Sequence, residues 1–188
     1  MGKLTKVTPR GEAKYCFIQQ PQTNFDPDGV YCTNLLLEAS EAQPLMELLE
    51  KELEEAKAIA TKKAKPNKRA SMTSHMPFEE EYTDDGEPTG NIEFKFKLKA
   101  VRKNEDGTTS KRSVRIVDAM KQKWDDEITV GSGSTIKVAF IPRPYYSPST
   151  NTYGVTCYLS AVQVLELVEG GGDPFDVEGD EGTNEEDF

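Results

Sequence analysis

Three lysines alternate with apolar residues in the stretch Ile92 to Arg102, and that spacing has a chemistry. Ile92, Phe94, Phe96, Leu98 and Ala100 share one parity, while Lys95, Lys97 and Lys99 share the other. A period of two predicts a half-buried β-strand, apolar inside and cationic outside. Successive outer residues stand about 6.5–7 Å apart, close to the phosphate spacing of an extended nucleic-acid strand. No acid interrupts the lysines. Such a face suits a polyanionic backbone, although lysines also serve simply to blunt a sheet edge.

Aromatic groups complete a single-strand chemistry, because bases stack on aromatic faces while cations track the backbone. Arg102 ends the central strand, and Arg115 and Lys137 fall at outward positions of flanking strands. Arg143, Tyr145 and Tyr146 lie in the proline-rich stretch Pro142 to Pro148, and Tyr153 opens the next strand. Lys95, Lys97, Lys99, Arg102, Arg115, Lys137, Arg143, Tyr145, Tyr146 and Tyr153 are therefore the candidate DNA contacts. Tyr15, Tyr31 and Trp124 are expected to pack in the core or a hairpin.

Catalysis has little to build on. His75 is the single histidine and falls in a stretch that reads as a flexible loop, so a nucleophile–His–acid set would rest on it alone. No phosphate-binding G-x-x-x-x-G-K-[ST] or G-x-G-x-x-G occurs, and Gly131-Ser132-Gly133 reads as the start of a strand. Cys16, Cys32 and Cys157 lack a C-x-x-C pattern and are expected to be small, reduced core residues. No catalytic residue, metal site or cofactor is assigned.

The elements that must position these residues follow from periodicity. At 188 residues the chain is long enough for one self-sufficient core, and no apolar run is long enough to span a membrane. Met1 to Arg10 reads as a mobile basic arm without a secretory signal. Strands are expected at Glu12–Gln20 and Val30–Leu37. A helix over Glu41–Lys63 follows, with Leu45, Leu48, Leu49, Leu53, Ala56, Ile59 and Ala60 on one stripe, begun by a Ser40 cap or by Pro44 in its first turn. Lys62 to Arg69 is a basic cluster, and Ala70 to Asn91 an irregular, acidic connection. After the central strand, Asn104-Glu105-Asp106-Gly107 signals a hairpin turn, with Lys111–Asp118 as the returning strand. Thr135–Ile141 is a strand, Pro142–Pro148 a stiff loop, and Tyr153–Val168 a last strand broken near Ser160. The fold class expected is mainly β: a five-stranded antiparallel OB-fold barrel with one helix between strands 2 and 3. A β-sandwich is the second architecture compatible with the pattern.

Charge divides the chain in two. Of 33 acids, nine fall in residues 169–188, which hold no Lys or Arg, leaving 24 acids against 23 bases in Met1–Val168. The expected division is a binding domain over 1–168 and a disordered acidic tail over 169–188. The tail ends Glu185-Glu186-Asp187-Phe188, an acidic peptide with a terminal aromatic suited to an apolar pocket rimmed by cations. It also resembles a nucleic-acid backbone in charge, so it suits the protein's own basic groove.

Several stretches, taken in order, give the chain a likeness. They are Met76-Pro77-Phe78, Phe94-Lys95-Phe96-Lys97, Val117-Asp118, Gly131-Ser132-Gly133-Ser134 before Ile136-Lys137-Val138, Pro144-Tyr145, and Val164-Leu165-Glu166-Leu167. With the tail, they resemble the single-stranded DNA-binding proteins of tailed bacteriophages, an OB fold with an acidic tail ending in phenylalanine. The resemblance implies a non-enzymatic protein that coats single strands in replication, recombination and repair, in the cytoplasm of the infected bacterial host. It implies DNA contacts at Lys95 and Lys97, stacking at Tyr145, and docking of polymerase and helicase–primase through Phe188. A homodimer is compatible with it. The sequence differs from the family pattern between Ser147 and Tyr153, which leaves Tyr145 and Tyr146 as alternatives. An RNA-binding OB module and an acidic protein that mimics DNA are the competing functions.

Overall fold

The computed structural model describes residues 4–170; the tail from residue 171, with its Phe188, lies outside the described residues, while Glu169 bridges Val130 and the Gly170 N–H bonds Thr129 O. The protein is mainly β, 50% strand and 19% helix, with one main helix after the third strand. Among the described residues no helix is long and apolar enough to cross a membrane.

From Lys6 to Thr8 the N-terminal basic arm is paired. Lys6–Val7 forms β1 against the Phe140–Ala139 segment, and Thr8, 3% exposed, bonds Val138 through both its N–H and its hydroxyl. This short strand shifts the count, so the helix follows strand 3. β2 (Gly11–Gln22) and β3 (Val30–Glu38) pair antiparallel, and β3 runs straight into α1 (Ala39–Lys63). The helix starts earlier than either sequence signal. Glu38 is its N-cap without a side-chain bond, Ser40 lies in the first turn, and Pro44 sits inside. Its stripe of Ala42, Leu45, Leu49, Ala56 and Ala60 is buried, and the helix packs mainly on the last two strands. Lys62 and Lys63 in the final turn complement the helix dipole.

The connection expected to be irregular is ordered. A 3-10 turn at Pro66–Ser71 leads to β4 (Thr73–His75) and β5 (Phe78–Tyr82). The acidic β5 pairs antiparallel with the central strand β6 (Pro88–Lys99), placing Phe78 opposite Phe94. In β6 the alternation holds: Ile92, Phe94, Phe96 and Leu98 are buried, while Lys95, Lys97 and Lys99 are exposed.

β7 (Val101–Lys103) and β8 (Thr109–Lys111) form the expected hairpin, turning at Gly107 with φ +84°. The return strand does not follow β6, however. β9 (Arg115–Val117) pairs in parallel with the last strand instead. β10 (Thr135–Ser147) runs through Pro142 and Pro144, which the sequence assigned to a loop. Beyond Phe140 only one strand flanks β10, so a residue lacking an N–H is tolerated there. β11 (Thr152–Glu166) is continuous, and the break expected near Ser160 is a bulge: Leu159 pairs with Phe140 and Ala161 with Ala139.

The described residues thus hold eleven strands rather than five, and the pairing is not purely antiparallel. β11 pairs in parallel with β4, β6 and β9. The pairings β2–β3, β3–β6, β6–β11, β11–β10 and β10–β2 return to their starting strand. Inside this circuit Phe96 and Phe140 meet with ring centroids 5.2 Å apart.

Candidate nucleic-acid interface

Strand register lines up one row of outward side chains across the circuit. Phe17 pairs with Cys32, Cys32 with Lys97, Lys97 with Tyr158, and Tyr158 with Ile141. With neighbouring strands about 4.8 Å apart, the row crosses five strands in about 19 Å. It reads aromatic, thiol, cation, aromatic, aliphatic. Phe17 and Tyr158 are 40% and 37% exposed, large apolar faces left open to solvent.

A depression lies over this row. Its narrower part, about 210 Å³, is lined by Cys32, Asn34, His75, Lys95, Lys97 and Tyr145, among others. Its wider part, about 800 Å³, is lined by Leu98, Arg102, Arg112, Arg143, Tyr145 and Tyr158, among others. Tyr145 and Thr156 line both, so the two parts adjoin at these residues. Two lysines line one part and three arginines the other, with Tyr145 shared between them. Burial pushes the Tyr145 phenol pKa up, which keeps the ring neutral.

The two adjacent tyrosines separate. Tyr146 lines neither part; its hydroxyl donates to Asn151 Oδ1 at 3.0 Å, and its register partner is Tyr153. Asn151 in turn donates to Lys68 O and Ser71 Oγ, tying the 3-10 turn to the β10–β11 turn. Lys99 stands one outward position beyond Lys97, pairing with Val30. Lys137 lies further along β10 opposite Gln163, and Arg115 lines a separate hollow with Tyr31 and Trp124. The structure thus brings together Lys95, Lys97, Arg102, Arg143 and Tyr145, and leaves Tyr146, Tyr153, Lys137 and Arg115 apart.

Three residues lining the depression, and one exposed tyrosine elsewhere, escaped sequence reasoning. Arg112 reaches the depression because its N–H bonds Ala100 O at 2.7 Å and its Nε bonds Lys99 O at 3.0 Å, folding it back over β6. The hairpin signal at Asn104–Gly107 contained this information, since it fixes which residues return. Tyr158 sits between Cys157 and Leu159 and reads as part of an apolar strand. His75 belongs to β4 rather than a flexible loop. Tyr15, expected in a packed position, is 63% exposed with φ +49°, at a slip in the β2–β3 register.

The thiols differ in setting. Cys157 is buried, its pKa pushed up to about 12 by burial, while Cys32 lines the depression and is also pushed up by burial. Among the described residues no group of three or more His, Cys, Asp or Glu is placed to hold a metal ion.

The sequence matches one protein family over residues 10–167, the family described as single-stranded DNA-binding protein, bacteriophage T7. The chain belongs to this family. Among solved structures it is similar to the crystal structure of gp2.5, a single-stranded DNA-binding protein encoded by bacteriophage T7. That match has 25% identity and a TM-score of 0.74, covering 95% of this chain and 98% of that one. The single-stranded DNA-binding protein from bacteriophage Enc34, in complex with ssDNA, shares the fold with a TM-score of 0.58. It matches at 11% identity over 92% of this chain and 89% of that one. Its C-terminal truncation gives a TM-score of 0.61 at 11% identity, over 91% and 88%. No curated protein matches by sequence.

Proposed function

We propose that this member of the phage family binds single-stranded DNA in the depression over β6, β10 and β11. The observation that carries the reading is the meeting of Lys95, Lys97, Arg102, Arg112 and Arg143 around Tyr145. Tyr145 stacks a base, and the cations neutralise the phosphates on either side. Lys99 extends the cationic track. Family membership over residues 10–167 supports the choice of ligand. The strand circuit supports reading the body as a closed OB barrel, in which the parallel β6–β11 joint completes the ring.

In this reading the protein performs no catalytic step. It coats and protects single strands during phage replication, recombination and repair, in the cytoplasm of the infected host. The acidic segment ending Glu185-Glu186-Asp187-Phe188 recruits polymerase and helicase–primase, and a homodimer is the assembly proposed. Tyr146, Tyr153, Lys137 and Arg115 receive no contact with the central part of the strand.

The test is oligo-dT affinity of Lys97→Glu and Tyr145→Ala, with folding checked by circular dichroism. Removing the stacking ring is expected to cost about 1–3 kcal/mol. Variants that fold and bind like the parent would overturn the site.

A further inference from the structure

One end of the outer face is neutralised by the protein itself. Lys14, Asn34 and Lys95 form a row across β2, β3 and β6. Each is held by a carboxylate of the β5–β6 hairpin. Lys14 Nζ donates to Glu81 Oε1 at 2.7 Å, Asn34 Nδ2 donates to Glu93 Oε1 at 2.6 Å, and Lys95 Nζ stands 3.0 Å from Glu79 Oε1. One row further on the pattern stops. Lys97, Lys99, Arg102, Arg112 and Arg143 have no ion pair among the described residues.

The carboxylates on the two lysines differ in how firmly they are held. Glu81 also accepts from Thr89 Oγ1 at 2.9 Å and from Asn91 Nδ2 at 3.1 Å. These bonds, led by that from Lys14, hold its pKa down to about 2. Glu79 has the Lys95 ion pair as its single polar side-chain contact among the described residues. Its side chain is 62% exposed and that of Lys95 is 50% exposed. An exposed pair of this kind is worth little and exchanges readily. Lys95 also lines the narrower part of the depression, where a strand would pass.

We propose that Glu79 is a displaceable stand-in for a DNA phosphate on Lys95, which an incoming strand must expel, while Glu81 is a fixed post on Lys14. The inference rests on the single-strand reading above. It follows that Lys95 contributes less than a full cation to binding, because each phosphate it accepts leaves the Glu79 carboxylate uncompensated beside the strand. Glu79 thereby sets both the affinity and the salt dependence at this end of the groove, and it is a positioning residue acting through Lys95.

The experiment is an oligo-dT titration over a salt series with the full chain, Glu79→Gln, and Glu80→Gln as a control of equal charge change. Glu80 accepts from the Tyr82 hydroxyl, and the ion-pair partner of Lys95 among the described residues is Glu79. Glu79→Gln is expected to bind roughly two- to fivefold tighter at low salt, the worth of an exposed ion pair. Its slope of log affinity against log salt is expected to steepen, by at most about 0.7, the value of one phosphate on a single strand. In a Lys95→Gln background the same change is expected to give a smaller gain, only the relief of through-space repulsion, since no ion pair is left to displace. Equal affinity and slope for Glu79→Gln and the parent would overturn the inference, as would an equal gain from Glu80→Gln or a gain undiminished in the Lys95→Gln background. A parent that binds no oligo-dT at all would instead overturn the functional reading on which this one stands.

Discussion

Lys97 and Tyr158 are register partners across β6 and β11, the parallel joint of the strand circuit. An ammonium and a phenol ring thus stand about 4.8 Å apart in backbone spacing on one outer face. A phosphate on the first places a neighbouring base over the second. Tyr158→Ala is therefore expected to weaken oligo-dT binding by about 1–3 kcal/mol, with little change in thermal unfolding because the ring is 37% exposed. Anisotropy titration beside a melting curve checks this; unchanged affinity would remove Tyr158 from the path.

Gly154 faces Tyr145 across β10 and β11. A Cβ on it would come within 2.6 Å of His75 O and 2.8 Å of the Tyr145 hydroxyl oxygen. Gly154→Ala must then move the β4 backbone or the tyrosine. The expected outcome is a loss of affinity approaching that of Tyr145→Ala, in a protein whose circular dichroism is unchanged. Parent-like binding would show that the Tyr145 ring need not stay where it is.

The Lys14–Glu81 pair makes a statement about pH. Glu81 is ionised in the fold down to about 2, from an ordinary value of 4.5. Its folded pKa is depressed, so its stabilisation is present above pH 4.5 and is lost as pH falls toward 2. Denaturant unfolding between pH 6 and pH 2 is expected to show the parent losing its advantage over Glu81→Gln across that window. A constant difference would mean that the carboxylate's pKa is not depressed.

The inner parity of β6 carries stability rather than binding. Phe94 is fully buried and meets Phe78 with ring centroids 5.3 Å apart. Phe94→Ala is expected to cost about 3–5 kcal/mol of folding free energy, whereas its neighbour Lys95→Gln should cost little. Chemical denaturation of the two variants separates the faces; equal losses would contradict the alternation.

What the sequence made legible was local. The lysine alternation, the Leu45–Leu49 stripe of α1 and the turn at Gly107 all follow from short-range spacing, whereas the break expected near Ser160 is a bulge in a continuous strand. What it hid was pairing. Nothing in Arg115–Val117 says that it joins β11 in parallel rather than β6, and nothing in the acidic run 79–82 announces a strand, because its apolar anchor is the single Phe78. Pro142 and Pro144 misled for a good local reason that an open edge overrides. At the site, the proline-rich stretch marked the Tyr145–Tyr146 pair without choosing between them, while Arg112, Tyr158 and Glu79 gain their meaning only from register.

The central claim is that the face around Tyr145 takes an unpaired strand. The most direct measurement is a fluorescence-anisotropy titration of labelled oligo-dT, its duplex and its RNA counterpart at two salt concentrations. The account predicts that the DNA strand binds far better than the duplex, no worse than RNA, and more weakly as salt rises, by about 0.7 in slope per phosphate neutralised. Equal binding of strand and duplex, a strong preference for RNA, or no binding at low salt would contradict it.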